Sequence, residues 1–551
     1  MSVGTIPGLL RAHATERPDA TFCTFVANAT SQTISFADLE RASRAYAEAY
    51  RRRGVGRGDV VLVMLKHSPH LFYAYLGAML VGAIPSFMPF PTPKQRSDLF
   101  WNDHRALFEV IQPRLIVSYD ENLRAAAAAL GDALAPTLCA DDALLREELP
   151  TGWFGDAVGE GEVVCLQHSS GTTGLKKGVM LTNRAIVGEV SAYARRLGFG
   201  AEDSIASWLP LYHDMGFVAC FMTSVVLGTH LVALDPFEWV MRPTMLLDAI
   251  ETHRSTFAWL PNFAFSHIVA HARGDRRWDL SSLRALINCS EPCKAHTFDR
   301  FAARFATSGI TPEQLHVCYA MAENVFAVTQ SELGGGVRRI DADPIAFSRG
   351  RVRQAEPGER AVALLSCGTA IEGVRVEIRD ESGKVVPERA VGDIYVGGSF
   401  LFDGYYRRPE LTAERLRDGW YRTGDRGFVA AGELFVTGRV DDMLIVNGRN
   451  YYAHEVEAIA SEVAGVVPGR VVAIGIEDER ADATAIVVLV EVRADAESAL
   501  VTRAVRVAVL EALGLAVQSV SALEPGRLIK TTSGKISREK NRALYLQGSL
   551  R

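Results

Sequence analysis

Cys165-Leu-Gln-His-Ser-Ser-Gly-Thr-Thr-Gly-Leu-Lys-Lys-Gly-Val-Met-Leu181 joins two short apolar runs through a polar loop. Val163–Leu166 and Val179–Leu181 read as strands. Between them, Ser169–Gly178 holds four hydroxyl side chains, three glycines and two lysines in ten residues. Such a loop has no use as core. Gly171 and Gly174 let the backbone come close to a ligand, and successive N–H groups can converge on an anion. Ser169, Ser170, Thr172 and Thr173 add hydroxyl donors and Lys177 adds charge, so the composition is that of a polyphosphate loop, with a flexible Ser/Gly surface turn as the competing reading. It is not the P-loop of ATPases, because Gly171 is not followed at the right distance by Gly-Lys-Ser/Thr and a strand lies on both sides.

Working towards the N-terminus, strands alternate with helices. Residues 1–60 hold an amphipathic helix with apolar positions at Leu39, Ala42, Ala45, Tyr46 and Ala49. Val60–Leu65 reads as a strand, followed by a helix from about Pro69, a strand at Val81–Ser86, a helix at Arg96–Val110, a strand at Arg114–Val117 and a helix through Ala125–Ala129. Within helix 96–110, His104 and Trp101 read as packing or surface groups. Residues 71–90 carry no charge, long enough to raise a membrane span, but Gly77, Gly82, Pro85 and Pro89 divide them and favour a buried helix–strand segment. Strands alternating with helices imply a largely parallel sheet covered on both faces.

Towards the C-terminus, Thr182 can cap a helix from Asn183 to about Leu197. Trp208-Leu-Pro-Leu-Tyr-His-Asp-Met-Gly216 then enters an apolar helix, Phe217–Leu227, which reads as core or the wall of a greasy pocket. His213 is placed to steer a carboxylate or to satisfy a buried carbonyl. Further strand–helix rounds lead to Leu283–Asn288, running into Cys289-Ser290-Glu291-Pro292, and to Leu315–Cys318, running into Tyr319-Ala-Met-Ala-Glu323. Loops past strand ends of a parallel sheet form its binding crevice, so the ends at 167, 288 and 318 are expected to converge on one ligand. Tyr319 offers a ring for a base, and Glu323 offers either a carboxylate for Mg²⁺ beside phosphates or a helix-start charge.

From about Val374 short strands with Gly/Asp/Pro turns replace the alternation, which reads as an antiparallel subdomain. Asp425, at a strand end, can accept two ribose hydroxyls, and Arg439 can reach a phosphate or the same sugar. A further helix–strand–strand–helix pattern follows Asp442. The tail Lys530-Thr-Thr-Ser-Gly-Lys535 is a second Gly/Ser/Thr loop, whose lysine is either catalytic or a solubilising group.

Bulk properties agree with this reading. A chain of 551 residues, 48% hydrophobic and 23% charged, exceeds one core, so at least two domains are expected. A net charge of -6 offers no global attraction to nucleic acid or an anionic membrane. Eight cysteines without paired spacing, and a start lacking the basic-then-apolar order of a signal peptide, suggest free thiols in the cytoplasm, with no transmembrane segment.

Together, Ser169–Gly178, Tyr319–Glu323, Gly404-Tyr-Tyr-Arg-Arg-Pro-Glu-Leu-Thr412, Tyr421–Asp425, Gly438–Asp442 and Thr532-Ser-Gly-Lys535 resemble the adenylate-forming enzymes: acyl-CoA synthetases, peptide-synthetase adenylation domains and luciferases. Within them the chain is most similar to the fatty acyl-AMP ligases. Leu209–Gly216 reads like their segment, Ala322 stands where most relatives carry Thr, and Leu434–Arg439 with Asn447–Tyr451 resembles their hinge region. An extra length at about Gly335–Arg360 resembles the insertion of that subgroup. Lys176, where proline is usual, is nearer to the CoA-forming members.

The resemblance implies an α/β fold: an N-terminal domain, 1–440, of mainly parallel sheets with an antiparallel subdomain at 374–440, and a small mobile α+β domain, 441–551. It implies a carboxylic acid substrate, ATP and Mg²⁺. Transfer is to an acyl carrier protein, with free CoA as alternative acceptor and a non-catalytic nucleotide sensor as the remote alternative. By that resemblance Ser169, Ser170, Gly171, Thr172, Thr173, Gly174 and Lys177 hold the β/γ-phosphates. Thr173 and Glu323 serve the α-phosphate and Mg²⁺, Lys535 neutralises the reacting groups, and His213 steers the acid. Tyr319 stacks on adenine beside Ser290, Glu291 and Pro292, Asp425 and Arg439 hold the ribose, and Asp441 is the hinge.

Overall fold

The computed structural model describes residues 4–27, 30–91, 97–146, 149, 158–274 except 170–176, 276–446, 449–478, 483–530 and 536–550. A mixed α/β architecture results, as expected. Its centre is a nine-stranded sheet in the order Thr369–Ala370, Ala327–Gln330, Leu315–Ala320, Ala285–Asn288, Phe257–Leu260, Ser204–Ser207, His230–Leu234, Thr21–Ala27 and Thr30–Ser35. From Leu315–Ala320 across to Thr21–Ala27 every pairing is parallel. These strands are nearly continuous apolar runs because helices cover both faces. A second, parallel sheet holds Ile84–Phe87, Val60–Met64, Leu115–Ser118 and Thr137–Cys139.

The charge-free stretch 71–90 is core. Helix Phe36–Arg52 starts on a capping box of Ser35 with Asp38 and buries Leu39, Ala42, Tyr46 and Ala49. It packs on helix His70–Leu80 through Gly77, where an added Cβ would lie 2.6 Å from Tyr46 Cβ. Among the described residues no helix is long and apolar enough to cross a membrane. His104 and Trp101 are buried, His104 stacked on Phe100. All eight cysteines are free.

Several expectations need correcting. The strand expected at Val81–Ser86 begins only at Ile84, because Val81 caps the preceding helix and Gly82 turns the chain at a φ of 72°. Residues 1–60 hold, besides the expected helix, helix Ile6–Glu16 and the two strands that close one edge of the large sheet. Val163–Ser169 and Lys177–Thr182 form their own antiparallel hairpin, so the end at 167 does not belong to the sheet of 288 and 318. Helix Phe217–Leu227 is a π-turn, Met215–Met222, running into Thr223–Leu227, and it is core.

Residues 374–439 form an antiparallel sheet of Val374–Arg379, Gly392–Gly398, Trp420–Ala430 and Leu416–Arg417, with Glu433–Arg439 paired to Trp420–Ala430. The extra segment supplies strand Arg339–Ala342 and helix Pro344–Ser348. Ile340 and Phe347 join a cluster with Phe428, Phe435 and Tyr452. Beyond 442, a hairpin of Met443–Val446 and Arg449–Tyr452 precedes a sheet of Val466–Asp478, Ala483–Val492 and Ser519–Leu523, covered by Ala453–Ser461 and Ser498–Leu513. Val456, Ala473, Val488 and Val505 centre a core of their own.

Candidate active site

Strand Leu315–Ala320 is buried until Tyr319 and then leaves the sheet. The chain turns tightly through Ala322–Asn324, and Val325 takes a φ of 64°. A β-branched residue there is strained, and the surroundings must hold it. Asn324 Nδ2 donates to the Ala327 carbonyl at 2.8 Å, and Glu189 Oε1 accepts from the Ala327 N–H at 2.7 Å. The turn thus presents Tyr319 and Glu323 in fixed positions.

Tyr319 donates its hydroxyl hydrogen to Asp425 Oδ2 at 2.6 Å, and Arg439 Nε lies 3.3 Å from Asp425 Oδ1. Asp425 and Arg439 are cross-strand partners inside the antiparallel sheet. Asp425 therefore sits mid-strand rather than at a strand end, because the ladder runs on through Gly424 and Gly427. Burial pushes its carboxyl up, while Arg439 and Tyr319 pull it down. Burial and Asp425 hold the Tyr319 hydroxyl well above the usual range, so it remains a donor. A carboxylate offers about four lone-pair sites, which leaves capacity for two further hydroxyls.

Glu323, 8% exposed, accepts from the Tyr405 hydroxyl at 2.8 Å, and Tyr421 lies 3.1 Å from Tyr405, oxygen to oxygen. Tyr405 belongs to a segment laced to the hairpin: Tyr406 N–H donates to Gly178 at 2.8 Å, Asp403 to Met180 at 2.9 Å and Met180 to Gly404 at 3.0 Å. That pairing brings the hairpin Val163–Thr182 to Glu323 without a shared sheet. Lys177 Nζ stands 5.4 Å from the Tyr405 ring centre; burial lowers its pKa and Glu323 opposes the shift.

One buried carboxylate beside hydroxyl donors suits a Mg²⁺ carried on phosphates, which uses one or two carboxylates plus phosphate oxygens. Among the described residues no group of three ligating side chains assembles an all-protein cage. Glu323 therefore fits the expected ion.

The turn from Cys289 follows strand Ala285–Asn288, which pairs with Leu315–Ala320, Asn288 beside Val317. Ser290 turns at a φ of 68°, and Glu291 Oε2 accepts from Phe263 N–H at 3.0 Å, capping helix Asn262–His271; Pro292 continues that turn. The His213 backbone closes a turn, with its N–H on Pro210 at 3.2 Å and its carbonyl on Phe217 N–H at 2.8 Å. Gly216 is required there, since a Cβ would meet the Pro210 oxygen at 2.5 Å. The side chain of Ser169, the loop residues Ser170, Gly171, Thr172, Thr173, Gly174 and Lys176, and Lys535 fall outside the described residues.

Two groups carried no residue-level signal. Tyr405 and Tyr421 stand in segments already singled out, but only the packing shows that both serve Glu323. Glu189 lies on helix Asn183–Arg196 and is fully buried, its carboxyl pushed up to about 8 by desolvation. It is protonated when folded and ionised when unfolded above its ordinary 4.5, so stability is lost as pH rises from 4.5 to about 8. Glu189→Gln keeps the acceptor for Ala327 and is expected to flatten the fall in melting temperature across that window; identical slopes would show that the folded chain holds Glu189 ionised.

A small apolar cavity of about 50 Å³ lies at the carboxyl ends of Val60–Met64, Ile84–Phe87, Ser204–Ser207 and His230–Leu234. Leu209, Pro210, Leu211 and Tyr212, just before His213, contribute to its wall. Of Phe217–Leu227, Cys220 lines it.

Residues 10–406 match the family described as AMP-binding enzyme. A putative acyl-CoA synthetase of Caulobacter vibrioides is 29% identical, covering 94% of this chain and 91% of that protein. The medium-chain-fatty-acid acyl-carrier-protein ligase JamA of Moorena producens is 27% identical, covering 94% and 90%. A solved structure from studies of fatty acyl-adenylate ligases from E. coli and L. pneumophila superposes with a TM-score of 0.88 at 25% identity, covering 99% of this chain and 98% of that one.

Proposed function

The chain belongs to the AMP-binding enzyme family, and from that premise we propose that it activates a carboxylic acid as its acyl adenylate and passes the acyl group to the phosphopantetheine thiol of an acyl carrier protein. The observation that carries the first step is the pair of clusters four residues apart on one turn. Tyr319–Asp425–Arg439 offers hydroxyl acceptors, and Glu323–Tyr405–Tyr421 faces the hairpin of the polyphosphate loop.

In this reading a carboxylate oxygen attacks the α-phosphorus of ATP, the bond from that phosphorus to the pyrophosphate oxygen breaks, and pyrophosphate leaves. Charge gathers on phosphoryl oxygens, so the protein's work is positioning and electrostatic stabilisation. Asp425 and Arg439 hold the ribose, Tyr319 lies against the base, and Ser169–Lys177 hold the departing phosphates. Mg²⁺ bound through Glu323 and Thr173 supplies charge neutralisation there. His213 orients the acid, and Lys535 neutralises the reacting oxygens. In the second step a thiolate attacks the acyl carbonyl and AMP leaves.

We place the domain boundary and hinge at Asp441. Its neighbours are anchored on opposite sides, which supports that placement: Arg439 pairs with Asp425 of the N-terminal part, while Asp442 pairs with Arg538 of the C-terminal part. Rotation there withdraws the Lys535 loop between steps.

Carrier protein as acceptor is supported by JamA and by the segment around 335–360. Lys176 and the Caulobacter relative favour free CoA as the second reading. A carboxylic-acid panel read by pyrophosphate release, followed by thioester yield with holo-carrier protein and with CoA, tests both. Acid-dependent release is expected, with at least about tenfold more thioester on the carrier. Equal or better yield with CoA overturns the choice of acceptor, and no release with any acid overturns the activity.

A further inference from the structure

Glu189 is a carboxyl in a place an apolar side chain could have filled. Fully buried on helix Asn183–Arg196, it accepts through Oε1 from the Ala327 N–H at 2.7 Å. That N–H follows a backbone shape few residues hold. Phe326 N–H donates to the Asn324 carbonyl at 2.7 Å, and Val325 between them stands at φ 64° and ψ -65°. Residues 324–326 are therefore a γ-turn of the rare, strained hand, with a β-branched residue at its centre. Such a turn persists only where its surroundings hold it. Asn324 Nδ2 holds the Ala327 carbonyl from within the turn, and Glu189 holds the N–H of the same residue from the neighbouring helix.

The helix holds that strand at its other end too. Tyr193 donates its hydroxyl hydrogen to Gln330 Oε1 at 2.7 Å and accepts from Trp259 Nε1–H at 3.0 Å, while Arg196 donates to the Gln330 carbonyl at 3.0 Å. Positions 189, 193 and 196 lie on one helix face, so the helix and strand Ala327–Gln330 move as one body. The same helix leaves hairpin strand Lys177–Thr182 directly, on the Thr182 cap. The hairpin and the turn of Glu323 are thereby joined through one element, and Glu189 is its contact nearest the turn. Resting on the reading of Glu323 as the carboxylate at the phosphates, we propose that Glu189 is a positioning residue for Glu323: by holding Ala327 it fixes the strained turn, and with it the place of Glu323 relative to Lys177. Desolvation keeps the Glu189 carboxyl protonated at neutral pH, so an amide reproduces it. A leucine leaves the buried Ala327 N–H unmet and an aspartate falls one methylene short, and in both the turn is free to relax.

The test sets Glu189→Leu, Glu189→Asp and Glu189→Gln beside the wild type, read by pyrophosphate release and by amide hydrogen exchange at Ala327. The Leu and Asp variants are expected to lose about ten- to a hundredfold in kcat, while KM for ATP, set by Tyr319, Asp425 and Arg439, changes less than about threefold. Glu189→Gln is expected to stay within about threefold of the wild type in both. Exchange at Ala327 is expected to quicken at least about tenfold in the Leu and Asp variants and to be unchanged in the Gln variant. A wild-type kcat in the Leu variant overturns the proposal, and so does a loss that Gln shares in full or one that falls on KM alone. If the Leu and Asp variants do not fold, exchange in the wild type decides: Ala327 is expected to be as protected as Val328, and fast exchange at Ala327 overturns the clamp. No pyrophosphate release with any acid strikes the activity itself, and a Glu323→Gln enzyme at the wild-type rate strikes the role of Glu323. Both are distinguishable, because the exchange result stands without turnover.

Discussion

Replacing Lys535 with alanine is expected to slow acyl-adenylate formation by about three orders of magnitude while transfer from a pre-made acyl adenylate falls less than about tenfold. A lysine near the α-phosphate acts on charge that develops only as the carboxylate attacks, and loss of a group aimed at such charge lowers kcat directly. The geometry around its loop supports a division of labour. Helix Arg538–Leu546 begins three residues later, and Arg538 is held by Asp442, by Glu457 at 2.7 Å and by the Ala473 carbonyl at 3.1 Å. Arg538, three residues beyond Lys535, is thus bound to the C-terminal sheet and to the residue after Asp441. Pyrophosphate release in a single turnover, set beside thioester yield from synthetic adenylate, measures the two steps separately. Equal losses in both would sink the assignment.

Glu323→Gln is expected to lower the rate of pyrophosphate release by about a hundred- to a thousandfold and to move the melting temperature by no more than about 2 °C. The amide oxygen still accepts from Tyr405, so the contact across 82 residues of sequence survives. What is lost is the negative charge, and with it the fit to a metal-bound phosphate and the attraction to Lys177. A variant that melts normally yet turns over at the wild-type rate would remove Glu323 from the chemistry. A variant that melts far lower would show that its charge is used for the fold.

Much of the fold was legible because it is local. Thr182 caps the helix from Asn183, its hydroxyl accepting from Ala185 N–H, as its place between an apolar run and a helical pattern implied. The helix Phe36–Arg52 is written in its apolar periodicity, and the apolar run expected as a strand at Leu283–Asn288 is one at Ala285–Asn288. The misses share a cause. Thr21–Ala27 is short, and what makes it a strand is pairing with His230–Leu234, some two hundred residues away, with Thr30–Ser35 added on its other side. Asp425, expected at a strand end, lies mid-strand because Glu433–Arg439 lies alongside and carries the ladder through Gly424 and Gly427.

The candidate site divides in the same way. By itself the sequence determined which residues bear chemistry: a loop of hydroxyls, glycines and lysines, a tyrosine and glutamate on one turn, an aspartate and an arginine further along the chain. Residue types at turns follow from local backbone demands and from hydrogen-bonding capacity, and these are visible in a few consecutive positions. Only the tertiary structure decided the partnerships: Tyr319 with Asp425 across 106 residues, Tyr405 with Glu323, and the hairpin laced to Gly404. Those pairings depend on how whole sheets pack and on which surfaces are stripped of water together, and neither is encoded in any short stretch of the chain.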